Sequence, residues 1–190
     1  MFSRIFAFIA AMGSLAFAQT QYATTVKPLY ADAKSEKVIG KLLPTAKVEV
    51  LKTDGKRVLI SIEGFQEEAK PAIYFVAGKR ILNAGFDGKA GVKFEKLDSQ
   101  EIDEKIYNKV KVQVWTDNAD LVNDVEALYA QAKDMYEQNC SMCHGLHPVK
   151  EFTANQWPSM FKAMAGRTGI EKKDYFLVIQ YLQKNAKDMQ

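Results

Sequence analysis

Both cysteines and both histidines of this 190-residue chain fall between Cys140 and His147, in the stretch Cys140-Ser141-Met142-Cys143-His144-Gly145-Leu146-His147. Three chemistries use such a cluster. A CxxC pair performs thiol exchange when it follows a strand and opens a helix, whereas here an apolar pattern at helical spacing runs straight into Cys140, so the pair closes a helix. Structural zinc needs four ligands converging on a tetrahedron. Cys140, Cys143, His144 and His147 are crowded together and lack the separated second pair of usual sites. The third chemistry is CxxCH, the attachment sequence of c-type haem. Two thiols three residues apart reach the two vinyl groups on one porphyrin edge, and His144 projects beneath the ring to bind iron. Spacing and placement favour this last use, with one haem c fastened to Cys140 and Cys143. A disulfide closing so small a loop would restrict the unfolded chain very little.

Haem iron keeps either a sixth ligand or an open face. His147 stands three residues from His144, too near to pass round the porphyrin edge. Met160 and Met164 lie downstream, four residues apart on a helix expected after Pro158. Thioether sulfur is a normal axial partner and raises the reduction potential, so both methionines are candidates. Trp157 and Arg167 are candidates for the haem propionates, one through its indole N–H and one through charge. The competing reading makes them a core tryptophan and a solvated arginine.

Helices must carry these groups. Leu121, Val125, Leu128, Ala132 and Met135 recur at three- and four-residue intervals, which predicts an amphipathic helix from Ala119 to about Gln138, capped by Asp117 or Asn118. Thr168 and Glu171 have capping-box spacing, and Tyr175, Val178, Ile179 and Leu182 form a stripe, predicting a last helix from Ile170 to about Ala186. Before Asp117 the period is two. Lys47–Leu51 and Arg57–Ile62 alternate around Asp54-Gly55, a strong hairpin signal, and further short strands follow to Trp115. Leu97–Ile106 reads as a loop or a single helical turn.

The first eighteen residues precede the fold. Arg4, the apolar run Ile5–Phe17 and Ala16-Phe17-Ala18 have the form of an export leader cleaved before Gln19, with Gly13 and Ser14 interrupting a run short for a bilayer span. The expected location is the periplasm, with at most peripheral membrane contact. A net charge of +3 without a basic cluster interleaved with aromatics gives no sign of nucleic-acid binding. The β half holds no cluster of catalytic residue types, so an enzyme is not expected.

Two resemblances add to this. Leu29-Tyr30, Ser35, Ile39-Gly40, Leu42, Val48–Leu51, Gly55 and Val58–Gly64 resemble a bacterial SH3-like domain. The CxxCH motif with Leu146, Pro148, Phe152, Asn155-Gln156-Trp157-Pro158, Met164, Arg167 and Tyr181-Leu182 resembles the monohaem C-terminal domain of the pentahaem c-type cytochrome that serves periplasmic trimethylamine N-oxide reductase. In that family the methionine seven residues after the tryptophan is the axial ligand, which implies Met164 with His144 on the iron. This chain has one haem motif, so quinol oxidation by a tetrahaem partner domain does not carry over.

Together these imply an α+β two-domain fold after a leader at 1–18. A small all-β SH3-like barrel spans 22–117, and an all-α class I-type cytochrome c domain spans 118–190. The resemblance implies a carrier of single electrons in anaerobic respiration, from a membrane quinol-oxidising cytochrome to a molybdopterin-containing N-oxide or S-oxide reductase. The barrel would dock or position the partner by fold analogy alone. The alternative is a haem-based sensor or small-ligand binder with an open sixth position.

Overall fold

The computed structural model describes residues 19–141 and 145–189. Ten strands come first: β1 (Gln19–Ala23), β2 (Lys27–Tyr30), β3 (Val38–Leu42), β4 (Lys47–Asp54), β5 (Arg57–Glu67), β6 (Ala72–Tyr74), β7 (Leu82–Phe86), β8 (Glu95–Ile102), β9 (Lys105–Asp117) and β10 (Leu121–Val122). Three α-helices follow: α1 (Val125–Cys140), α2 (Trp157–Ala165) and α3 (Tyr175–Lys184).

All strand pairings are antiparallel, in the order β10-β1-β4-β5-β6-β7-β3-β2-β9-β8, and β9 returns to pair with β5. Strands β5, β6, β7, β3, β2 and β9 therefore close into a barrel. Closure depends on two long strands. β5, of 11 residues, gives one edge wholly to β9 and shares the other between β4 and β6. β9, of 13 residues, shares its far edge between β8 and β2, where Trp115 pairs with Tyr30. Alternation fills the interior: Val58, Ile60 and Ile62 of β5 meet Val110, Val112 and Val114 of β9 in one apolar core. β6 approaches β5 closely at Gly64, where a Cβ would lie 2.5 Å from the Tyr74 carbonyl oxygen, so no larger residue fits.

The expected fold class is overturned. The described chain is mostly β, and its helices of 16, 9 and 10 residues do not build an all-α class I-type cytochrome c domain beside a separate barrel. The helical part also completes its packing with residues of the β half. Fully buried Ile81, just before β7, lies in the same cluster as Trp157, Phe161, Val178 and Leu182. Tyr22 of β1 and Val122 of β10 pack on the cluster formed by Leu128, Ala132 and Leu177.

Local expectations shift in the same way. The Asp54-Gly55 hairpin joins β4 to β5, with Gly55 at φ +58°. Leu97–Ile106 is neither loop nor helix but the β8–β9 hairpin, turning on Asp103 and Glu104 at φ +50° and +60°. The first helix starts at Val125 rather than Ala119, because Leu121 and Val122 pair with Ala23 and Tyr22. Its cap is Asp124, which accepts the Glu126 N–H at 2.9 Å. A 3₁₀ turn over Lys172–Asp174 precedes α3, so the last helix starts at Tyr175; the Thr168 hydroxyl donates to the Ala165 carbonyl instead of forming a capping box.

Candidate functional site

α1 buries Leu128, Ala132 and Tyr136 on one face and ends at Cys140, leaving that thiol half-buried at the helix terminus. Asn139 fastens this terminus to the opposite wall. Its amide nitrogen donates to the Met135 carbonyl at 2.8 Å, and its carbonyl oxygen accepts the Gly169 N–H at 3.1 Å. The loop beyond α2 is thereby held against the end of α1.

α2 opens with Pro158 in its first turn, where the missing N–H costs nothing. Trp157, Phe161 and Ala165 recur every four residues and are buried, so the adjacent row, Met160 and Met164, is displaced to one side. Those two methionines remain 40% and 39% exposed. Between α1 and α2 lies a cleft of about 770 Å³, counting its open mouth. Tyr136, Phe152, Trp157 and Phe161 supply its aromatic wall, and Cys140, Met160, Met164, His147 and Arg167 also line it.

The wall is rigid for identifiable reasons. Phe152 meets Trp157 edge-on at 4.9 Å between ring centres, and Tyr136 meets Trp157 in the same manner at 5.9 Å. The Tyr136 hydroxyl donates to the His147 carbonyl at 2.7 Å. The Trp157 indole N–H donates to the Val149 carbonyl at 2.9 Å, so a propionate contact would require that bond to be exchanged. His147 lines the cleft with its Nδ1 2.9 Å from a Glu151 carboxylate oxygen. Arg167 is exposed at the cleft mouth and makes no ion pair among the described residues. Burial pushes the Cys140 thiol up, the opposite of the lowered thiol of a redox-exchange motif.

The structure thus brings four residues singled out in the sequence, Cys140, Trp157, Met164 and Arg167, to one cleft, with Met160 and His147 beside them. Cys143 and His144 lie outside the described residues, as does the leader expected at 1–18. Tyr136, Phe161 and the Asn139 clasp were not singled out as site residues. Tyr136 and Phe161 carry only the signal of apolar helix positions, and the partner of Asn139 is 30 residues away.

The site's chemistry suits a haem. An aromatic, apolar cleft holds two thioether sulfurs and a cysteine, with the Arg167 cation among its lining.

The family described as the TorC third cytochrome c domain matches residues 16–121, which cover the barrel and end before α1. The cytochrome c-type protein TorC of Escherichia coli (strain K12) is 32% identical over 173 residues, which is 89% of this chain and 44% of that protein. The cytochrome c-type protein TorY of Haemophilus influenzae is 29% identical over 152 residues, 78% of this chain and 41% of that protein. The chain spans less than half the length of these relatives. No solved structure matches it. With more than half of its residues matched, the chain belongs to the family of the TorC third cytochrome c domain.

Proposed function

We infer that this protein is an electron carrier rather than an enzyme: a periplasmic c-type cytochrome with one haem c bound to Cys140 and Cys143, and with His144 and Met164 on the iron. The observation that carries the reading is the cleft itself, in which the cysteine ending α1 and the methionines of α2 share one apolar space. Haem, when bound, supplies the one-electron iron couple.

The chain's own groups do the rest. Cys140 would tether the haem, and Phe152, Trp157 and Phe161 would line its pocket with apolar rings. Met164 would offer its sulfur to the iron, a ligand that favours the reduced state. Arg167 offers a positive charge at the mouth to propionate carboxylates. The residues after 117 form the attachment unit, while the barrel completes its core.

The electron acceptor we assign is a molybdopterin N-oxide or S-oxide reductase of the trimethylamine N-oxide type, and the donor a membrane quinol-oxidising cytochrome. The family membership and the similarity to TorC and TorY support that assignment. The leader at 1–18 supports export, and no helix among the described residues is long and apolar enough to cross a membrane.

The test is production in a host competent in cytochrome maturation. The expected product is red, with a mass exceeding the bare chain by one haem. A colourless protein of bare-chain mass refutes the reading. Carbon monoxide then separates the carrier from a sensor: reduced protein that resists it has a held sixth position, and immediate binding supports an open one.

A further inference from the structure

The helices do not hold the cleft unaided. The residues that lead into α2 are gripped by the barrel loop between β6 and β7. One carboxylate oxygen of Asp188 accepts the Ala154 N–H at 2.8 Å, and the other meets the Lys79 ammonium at 2.5 Å. The Gln183 amide nitrogen donates to the Ala154 carbonyl at 2.8 Å and to the Arg80 carbonyl at 3.3 Å. The Arg80 N–H donates to the Asn155 side-chain oxygen at 2.7 Å. Burial opposes the charge of Asp188, but Lys79 and the Ala154 N–H outweigh it and hold its carboxyl below the usual carboxylate range. Lys79 and Asp188 do not line the cleft.

α2 has only nine residues, too few to be stable without tertiary support. Met164 lies seven residues beyond Trp157, roughly 10 Å along the axis at the usual rise per residue. A tilt of about 10° at the gripped end would move residue 164 by about 2 Å, on the order of a metal–ligand bond.

We propose that Lys79 and Asp188 are positioning residues for the axial methionine: through Ala154 they clamp the start of α2 to the barrel and so set where Met164 meets the iron. This rests on Met164 being the ligand.

The haem-loaded full chain is compared with Lys79→Met, Lys79→Arg and Gln183→Leu. Three quantities are read: the rate of carbon monoxide binding to the reduced protein, the sulfur-to-iron charge-transfer band, and hydrogen exchange along residues 154–165 relative to β5 and β9. Lys79→Met should raise both carbon monoxide binding and exchange along 154–165 about fivefold, the population change that an ion pair of ordinary strength controls. Gln183→Leu should act in the same direction, Lys79→Arg should restore the parent rates, and β5 and β9 should be unaffected. Unaltered carbon monoxide binding in both Lys79→Met and Gln183→Leu overturns the proposal, even where exchange rises, because the clamp then holds the helix without positioning its ligand. If the parent protein takes up carbon monoxide at once, the ligand assignment itself falls. That result is distinct from a parent and variants that all resist.

Discussion

Met160 and Met164 stand on the same row of α2 and are exposed to the same degree, so depth does not choose between them. The resemblance around Trp157 favours Met164, and it makes a sharp expectation. Met164→Ala should abolish the sulfur-to-iron band and open the reduced iron to carbon monoxide, while Met160→Ala should leave both as they are. The reverse pair of results transfers the ligand. Trp157 is the other residue whose role turns on one atom. Its indole N–H satisfies the half-buried Val149 carbonyl, and its ring is packed edge-on by Phe152 and Tyr136. Trp157→Phe keeps an aromatic ring in the wall but removes that hydrogen bond, at a cost of about 1 kcal/mol in denaturant unfolding. Haem attachment should survive. Loss of attachment would mean that the indole does more than complete the wall.

At the scale of elements, what could be read from the sequence depended on whether the deciding contact was local. The β4–β5 hairpin was readable because Asp54-Gly55 places a glycine where the chain needs positive φ. The β8–β9 hairpin was not, because Asp103 and Glu104 adopt left-handed conformations with no glycine to announce them. Leu121 and Val122 fit a helical stripe by spacing, yet pair with β1 about a hundred residues earlier in the chain. The cysteine and methionines of the cleft carry their own spacing signals, while Trp157 and Arg167 are marked by side-chain chemistry and by the resemblance. The Asn139 clasp and the intrusion of Ile81 carry none, since both are products of the tertiary fold. The displaced start of α1 has a measurable consequence. Asp124, not Asp117 or Asn118, caps the helix, so Asp124→Ala should lower stability by about 1 kcal/mol, read as a shift in denaturant midpoint at unchanged slope. Asn118→Ala should shift it little.

At the scale of the molecule, the helical clusters borrow residues from the β half, so removing residues 19–117 would also remove Ile81, Tyr22 and Lys79 from the helical unit. A docking role for the barrel has to be sought with surface substitutions instead. The seam also holds a lysine that reports on its integrity. Lys184 of α3 donates to the Thr45 carbonyl at 3.0 Å and to its hydroxyl at 2.9 Å, above the Phe75 ring. Burial lowers its pKa to about 7 from an ordinary 10.5, and no carboxylate offsets the effect. Between these values the unfolded chain binds a proton that the folded one does not. Stability should therefore rise with pH from about 7 towards 10, whereas below 7 both states are protonated and the desolvation penalty is present in full. Lys27, also lowered by burial, acts in the same direction. Above about pH 10 the trend should reverse, because burial raises the Tyr129 and Tyr136 phenols and the unfolded chain loses those protons first. Lys184→Met removes the titrating group while keeping an apolar stem in the seam. Its unfolding midpoint should be flatter across pH 7–10 than the parent's, with the contribution of Lys27 still present. An equal slope in both proteins would show that Lys184 is not desolvated in solution, and that α3 sits less tightly on the barrel than its bonds to Thr45 require.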